Sequence, residues 1–216
     1  SAAYLAAIPA HWTFDAVIID EASRMRLSYA VPALSAARQV IIVGDHQQCG
    51  PSMIIQLSQD GSVSLESDMS VMDAGMAAKL PAIRLSRHYR SKHPSLIEFS
   101  NERFYQRSLI CAPSAHALGE FGCILHQVDG CFLGGANQTE ADRIAAAVVD
   151  QVRRDPASST AVIATTYQQC VAIAKAAHAL DPSAYQRIEI MHASSCQGIE
   201  RDVIFLSLAF GPDEKG

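Results

Sequence analysis

The chain has 216 residues, of which 49% are hydrophobic and 18% charged, and its net charge is −5. This length allows one large domain or two small ones, and the hydrophobic content can fill a sizeable core. The acidic balance excludes a strongly basic footprint over the whole surface, although one local basic cluster remains, at Arg84, Arg87, Arg90 and Lys92.

Neither a membrane span nor a secretory signal is visible, because the apolar runs are short and no basic segment precedes one. The six cysteines include no C-x-x-C pair, and no histidine follows at zinc-ligand spacing. We therefore expect a cytoplasmic protein with reduced thiols and no membrane partner. Since the chain starts at Ser1 and stops at Gly216 just after a strong strand, we also expect a piece of a longer protein.

The first predicted unit is a strand, a helix and a second strand. Residues 16–20 and 40–43 are apolar runs typical of strands buried on both faces of a parallel sheet, and residues 28–38 have helical composition. This order predicts a right-handed β-α-β unit, in which the loops after both strands lie at the same edge of the sheet.

Two polar loops follow these strands. The first contains Asp20 and Glu21, and the second contains Asp45 and Gln48, so we expect these side chains to lie close together. Two adjacent carboxylates fit either a solvated acidic turn or a site for a cation or a proton transfer. A metal-dependent nuclease that uses Asp20, Glu21 and Asp45 is a further alternative.

The middle of the chain has weaker patterns. We predict a flexible surface excursion over residues 52–68 and a helix over 69–80, capped by Ser67 or Asp68 and ended by Pro81. A second helix should begin at Pro94 and run to Phe104, with a buried face formed by Leu96, Ile97, Phe99 and Phe104.

Strands and helices alternate again after an irregular stretch, which implies an α/β fold with a parallel sheet. Thr139 with Asp142 and Thr166 with Gln169 resemble capping boxes that open two helices. The predicted helices cover 139–154, with an apolar face at Ile144, Val148 and Val152, and 166–180; the predicted strands cover 123–128, 161–164, 188–191 and 202–208.

Four stretches in order, VIIDEAS, GDHQQCGP, LSRHYRSKHPSLIEFSNERFY and SSCQGIERDVIFLSLAF, resemble helicase motifs of superfamily 1. They are most similar to the subgroup of the nonsense-mediated-decay and Okazaki-fragment helicases. The resemblance implies RecA-like (P-loop NTPase) lobes: residues 1–85 as the end of a partial first lobe, and 86–216 as most of a second lobe.

The resemblance also implies roles in ATP hydrolysis. Asp20 matches the carboxylate that binds Mg²⁺ through water, and Glu21 matches the general base. Gln48 matches the γ-phosphate sensor, Tyr89 an aromatic residue that stacks on adenine, and Arg90 an arginine finger. Further residues are expected at the nucleotide, namely Asp45, Gln197, Gly198 and Glu200.

The resemblance implies two partners, single-stranded DNA or RNA and the remainder of the parent chain. The residues expected to contact the strand are Thr165, Thr166, Tyr167 and Ser194. The sequence departs from the family pattern at Cys49–Gly50, His88 and Cys170. It also contains no G-x-x-x-x-G-K-[ST] loop. The parent is therefore expected to be an ATP-dependent helicase and this chain alone to be inactive; the alternative is a non-catalytic nucleotide- or nucleic-acid-binding module.

Overall fold

The computed structural model describes residues 9, 11–51, 54–57, 63–66, 69–113 and 122–212. The chain divides into two compact units, Ser1–Cys123 and Ile124–Gly216. Both contain parallel strand pairs joined by helices, which confirms the predicted α/β class. No helix among the described residues is both long and apolar enough to span a membrane.

The first unit is built on one β-α-β unit, as predicted. Strands β1 and β2 pair in parallel, with Val17 opposite Val40 and Ile19 opposite Ile42. In chain order the elements are β1 (Val17–Ile19), α1 (Leu27–Ser35), β2 (Val40–Ile42), β3 (Ile54–Leu57), β4 (Val63–Glu66), α2 (Val71–Ala77), β5 (Arg87–His88), α3 (Ser95–Arg103) and β6 (Ile110–Cys111).

The core of this unit lies on one face of the β1–β2 pair. Ile19, Ala22, Ala30 and Val71 are buried together there. The prediction that these strands are buried on both faces is wrong, because Ile18 is 67% exposed. Neighbouring side chains of a strand point to opposite faces. Only the Ile19 face is packed against α1 and α2 in the described part of the chain.

Two local predictions between β2 and α2 need correction. The stretch at 52–68, predicted to be a flexible surface excursion, contains an antiparallel strand pair, β3–β4; the rest of that stretch, with both predicted caps, lies outside the described residues. Helix α2 is capped by Ser70, whose hydroxyl accepts the Asp73 amide at 3.0 Å.

The predicted apolar face of α3 is not buried. None of its residues is buried, and Leu96 and Phe99 are 47% and 67% exposed. The helix is held through polar contacts instead, because Asn101 forms two hydrogen bonds of 3.0 Å with the backbone of Leu109, just before β6.

The second unit is a three-stranded parallel sheet in the order β8–β7–β9. Thr160 pairs with Ile188 on one side and with Val203 on the other. The elements are α4 (Gln138–Arg154), β7 (Thr160–Ala164), α5 (Tyr167–Leu180), α6 (Pro182–Tyr185), β8 (Ile188–His192), a 3₁₀ turn (Ala193–Ser195) and β9 (Val203–Ser207).

Helices α4 and α5 pack their apolar stripes into the core of this unit. The fully buried positions of α4 follow helical spacing, at Ala141, Ala145 and Val148. The predicted face of this helix is confirmed at Val148 and Val152, whereas Ile144 lies at its partly buried margin. Ile173 on α5 is fully buried in the same cluster.

A buried polar network holds α4, α5 and β9 together. The side chain of Gln169, which is fully buried, accepts the Asn137 amide at 2.8 Å and donates to the Ser207 hydroxyl at 3.0 Å. Ser207 in turn donates to Glu140 at 2.7 Å, and Glu140 accepts the Ala209 amide. Each polar group therefore has a partner, which avoids the cost of burying an unsatisfied donor or acceptor.

Helix caps in this unit agree with the sequence in one case and differ in another. Thr166 caps α5 as predicted, since its hydroxyl accepts the Gln169 amide at 3.1 Å. Helix α4 is capped by Asn137 rather than Thr139, and the Asn137 side chain accepts the Glu140 amide at 3.1 Å. The predicted strand at 123–128 is wrong, because those described residues form no strand.

The compact units divide after Cys123, whereas the predicted lobes divide after Leu85. The intervening segment belongs to the first unit, and its Tyr105 donates a hydrogen bond to Asp45 of that unit. The lobe boundary stays a prediction.

Candidate functional site

The acidic turn after β1 has an unusual backbone. The Asp20 carboxylate accepts the Glu21 amide at 2.9 Å, and Glu21 has a φ of 52°. A residue other than glycine in this left-handed backbone conformation costs on the order of 1–3 kcal/mol, and such strain concentrates at functional sites. Both carboxylates are exposed, and the Glu21 carbonyl accepts the Arg24 amide at 2.9 Å.

The turn after β2 packs directly against this acidic turn. The Ala22 amide donates to the Val43 carbonyl at 3.0 Å. A side chain at Gly44 would come within 3.1 Å of the Ser23 amide nitrogen, so glycine permits the close approach. The prediction that the two loops lie close together is therefore confirmed for their backbones.

Asp45 organises the second turn. Its carboxylate accepts hydrogen bonds from the Gln47 amide and the Gln48 side-chain amide, both at 3.0 Å. The phenol of Tyr105 donates to the same carboxylate at 2.5 Å, across 60 positions of the chain. Gln48, the predicted phosphate sensor, is thus anchored through its Nε2 to a carboxylate that a third side chain holds in place.

This pairing shifts the acidity of both groups. Partial burial opposes ionisation of Asp45, but the hydrogen bonds from Tyr105, Gln47 and Gln48 outweigh it and lower the pKa of the carboxyl. Burial together with the hydrogen bond to Asp45 and its negative charge raises the pKa of Tyr105 to about 12. Both shifts favour a neutral phenol that donates to an ionised carboxylate.

Removing the Tyr105 hydroxyl should therefore change the response to alkaline pH. Because the folded chain holds the pKa of this phenol above the unfolded value of about 10, its stabilising effect is full below pH 10 and is lost as pH rises towards 12. We expect Tyr105→Phe to lose less stability than wild type across this range, measured by urea unfolding. Tyr185→Phe, which leaves the Asp45 pair intact, is the matched control; equal alkaline losses in wild type and Tyr105→Phe would contradict the pairing.

An open pocket of about 490 Å³ lies beside the acidic turn. Arg26 is a buried residue, and its guanidinium carbon lies 5.9 Å from the centre of the Tyr29 ring. The lining residues come from the acidic turn, from the start of α1 and from the second loop: Asp20, Glu21, Arg24, Met25, Arg26, Tyr29 and Pro51.

The nuclease alternative is not supported. It requires Asp20, Glu21 and Asp45 to hold a metal ion together, and all three are described. Across the described residues, no group of three or more His, Cys, Asp or Glu side chains is placed to do so. The Asp45 carboxylate is instead occupied by Tyr105 and Gln48.

The basic segment at residues 87–94 begins with β5 and contains two histidines whose rings accept backbone hydrogen bonds. The Ser91 amide donates to Nε2 of His88 at 3.1 Å, and the Ser95 amide donates to Nδ1 of His93 at 3.2 Å. Between them Tyr89 is 88% exposed and Arg90 is also exposed. Their predicted roles at adenine and γ-phosphate stay predictions.

The second unit gathers the residues predicted to contact nucleic acid at the carboxyl ends of β7 and β8. The rings of Tyr167 and His192 stack with centroids 4.2 Å apart and planes 10° apart. His192 also contacts the Thr165 carbonyl through Nε2 at 3.0 Å and the Ser194 amide through Nδ1 at 3.1 Å. His192, which sequence reasoning missed, therefore joins three of the four predicted residues.

The turn before β9 carries the last predicted nucleotide-binding residues. Gly198 has a φ of 82°, where other residues are strained, and a β-carbon added there would meet no described residue within 4 Å beyond its chain neighbours. The Glu200 carbonyl accepts Arg201 at 2.7 Å, and Arg201 also pairs with Glu189. Gln197, Gly198 and Glu200 thus lie on one turn, and their contact with nucleotide stays a prediction.

Known proteins resemble this chain in sequence. Residues 2–56 match the family described as an AAA domain. The chain is 28% identical to an uncharacterized ATP-dependent helicase MG140 of Mycoplasma genitalium, over 91% of this chain and 20% of that protein. It is 25% identical to the regulator of nonsense transcripts 1 homolog of Drosophila melanogaster, over 94% of this chain and 19% of that protein.

A third relative, the ATP-dependent helicase NAM7 of Saccharomyces cerevisiae, is 34% identical over 44% of this chain and 10% of its own length. These similarities support a fragment of a superfamily 1 helicase. The similarity to MG140 and to the Drosophila protein extends over both compact units of this chain. The chain spans about a fifth of the length of those two relatives.

Sequence reasoning missed two residues that make contacts within these sites. Tyr105 stands at the end of the FSNERFY stretch, and its partner Asp45 is distant in sequence. His192 ends β8, two residues before the SSCQG turn. In each case the sequence offers one signal that could have identified the residue, an aromatic or imidazole side chain in or close to a recognised motif.

Proposed function

We propose that this chain forms part of an ATP-dependent superfamily 1 helicase that couples ATP hydrolysis to movement on single-stranded DNA or RNA. One observation supports this above the others. The strained Asp20–Glu21 turn and the Asp45–Gln48 turn pack against each other at the ends of two parallel strands, beside an open pocket. In open α/β sheets this edge is where ligands bind.

Asp20 is suited to binding the magnesium ion that accompanies ATP. Its carboxylate is exposed and lines the pocket, and Mg²⁺ prefers one or two carboxylates together with water and phosphate oxygens. The ion would neutralise charge on the phosphate groups. Asp20 would hold it through water, while its bond to the Glu21 amide fixes the shape of the turn.

Glu21 would act as the general base on the attacking water. Glu21 lines the same pocket as Asp20, so both residues border the space that a ligand would occupy. The left-handed backbone at Glu21, with its amide bound to the Asp20 carboxylate, would help to direct this side chain. In ATP-hydrolysing enzymes, such positioning of the nucleophile supplies much of the catalysis.

Gln48 would report the presence of the γ-phosphate. Its side-chain amide is anchored by donation to Asp45, which leaves the amide oxygen in a defined orientation. Tyr89 and Arg90 would contribute adenine stacking and the arginine finger, and Gln197, Gly198 and Glu200 would contact the nucleotide. These roles follow from the resemblance of the motifs.

ATP hydrolysis by the full-length parent tests the proposal. We expect hydrolysis that single-stranded DNA or RNA stimulates, and only background hydrolysis by the 216-residue chain, whose sequence lacks a phosphate-binding loop. Phosphate release is the measurement. Ordinary helicase turnover by this chain alone would refute the dependence on a phosphate loop elsewhere, and nucleotide binding without hydrolysis by the parent would favour the binding module.

A further inference from the structure

The predicted arginine finger lies in an irregular segment between β5 and α3. Arg90 follows the end of β5 by two residues, and neither helix nor strand covers residues 89–94. Arg90 and its neighbour Tyr89 are both exposed. Regular secondary structure therefore does not set the direction of the Arg90 side chain.

The imidazole of His88 closes a short loop around these two residues. Its Nε2 accepts the Ser91 amide at 3.1 Å, and the Ser91 hydroxyl lies 2.7 Å from the same nitrogen. A backbone amide can only donate, so Nε2 carries the lone pair and Nδ1 carries the proton. His88 and Ser91 are both half-buried, and partial shielding from water strengthens a hydrogen bond. The closed loop contains only Tyr89 and Arg90 between its two ends.

The two ends of this loop are held by different contacts. His88 is the last residue of β5, where it pairs with Cys111 of β6, so the sheet fixes the backbone that leads into Tyr89. Arg90 directly precedes Ser91, the residue that the imidazole holds. Loss of the imidazole bond should therefore free the Arg90 end of the loop more than the Tyr89 end.

We propose that His88 is a positioning residue, which directs the Arg90 guanidinium through its hydrogen bond to the Ser91 amide. The proposal rests on the proposed ATP-hydrolysing function and on the finger role of Arg90, and adds the group that holds the finger. His88 itself touches no reacting atom. It acts by preorganisation, because a guanidinium that is already held in place loses less conformational freedom when it reaches the phosphoryl group.

Two substitutions of His88 separate the acceptor atom from the ring. Glutamine places an acceptor oxygen as far along the side chain as Nε2, whereas asparagine reaches only as far as Nδ1. In the full-length parent we expect His88→Asn to lower kcat for ATP hydrolysis about fivefold to tenfold, the usual contribution of one hydrogen bond. His88→Gln should restore kcat to near the wild-type value. ATP affinity should change less, because the Tyr89 end keeps its anchor in β5.

His93 provides the matched control in the same segment. It also accepts a backbone amide, that of Ser95 at 3.2 Å, but through Nδ1 and beyond the loop that contains Arg90. Asparagine keeps an acceptor at the Nδ1 position, so His93→Asn should retain kcat while the same substitution at His88 lowers it. Steady-state phosphate release gives kcat, equilibrium binding of a fluorescent nucleotide gives affinity, and urea unfolding gives the native fraction by which each rate is divided.

A double substitution distinguishes positioning of Arg90 from a general loss of structure. If His88 acts through Arg90, His88→Asn should lower kcat no further once Arg90→Ala is present, because no finger remains to be directed. Multiplicative losses in the double variant would overturn the positioning role while the hydrolytic function stands. Unchanged kcat in His88→Asn, or equal losses in His88→Asn and His88→Gln, would do the same. Absence of ATP hydrolysis by the wild-type parent would instead overturn both.

Discussion

Glu21→Gln in the full-length parent should lower kcat for ATP hydrolysis by roughly 10²–10⁴-fold, the usual contribution of a general base. Glutamine has the same shape and can still orient water, but it cannot take the proton. Because glutamine also matches glutamate in size, we expect the left-handed turn that carries Glu21 to be kept. KM for ATP should therefore change little, because nucleotide contacts are retained.

Steady-state phosphate release, with nucleotide binding measured separately, decides this prediction. Glu98→Gln is the matched control, since Glu98 is an exposed acid on α3 of the same unit. It should retain wild-type kcat. If Glu21→Gln also retains kcat within a few-fold, Glu21 is not the base and the acidic turn has another purpose.

Arg90→Ala in the parent should reduce kcat by about 10³–10⁵-fold, the effect of an arginine finger, which corresponds to about 4–7 kcal/mol of barrier. The guanidinium would stabilise negative charge that develops on the transferred phosphoryl group. Arg90→Lys should recover only part of the activity, because an ammonium group lacks the planar fork that grips two oxygen atoms.

The control for the finger is Arg103→Ala. Arg103 is an exposed arginine at the end of α3, and its loss removes the same charge from the same unit. We expect ATP affinity to be retained in Arg90→Ala while turnover falls, as shown by equilibrium binding of a fluorescent nucleotide beside the kinetic assay. A parallel fall in both quantities would assign Arg90 to ground-state binding instead.

Local predictions succeeded where neighbouring residues decide the outcome. The apolar runs at 16–20 and 40–43 became β1 and β2, because short runs of apolar, β-branched residues favour strands. Helix α5 begins after Thr166, as its capping pattern predicted, and ends at Leu180. The same pattern at Thr139 was misleading, since Asn137 two residues earlier is also a favourable cap and is buried against Gln169.

Burial was harder to predict than secondary structure. The apolar spacing in α3 was sound as a helical pattern, but no residue of the helix is buried, and Leu96 and Phe99 are largely exposed. Hydrophobic periodicity shows which side of a helix can be buried, whereas the neighbouring elements decide whether it is.

By itself the sequence determined the α/β class, the β-α-β order and the two adjacent polar turns, since these follow from apolar runs and from the handedness of parallel connections. Only the tertiary structure decided that Tyr105 holds Asp45 and that His192 backs Tyr167. Both contacts join residues far apart in the chain. Their existence depends on how packed elements bring side chains together, and no local propensity records that.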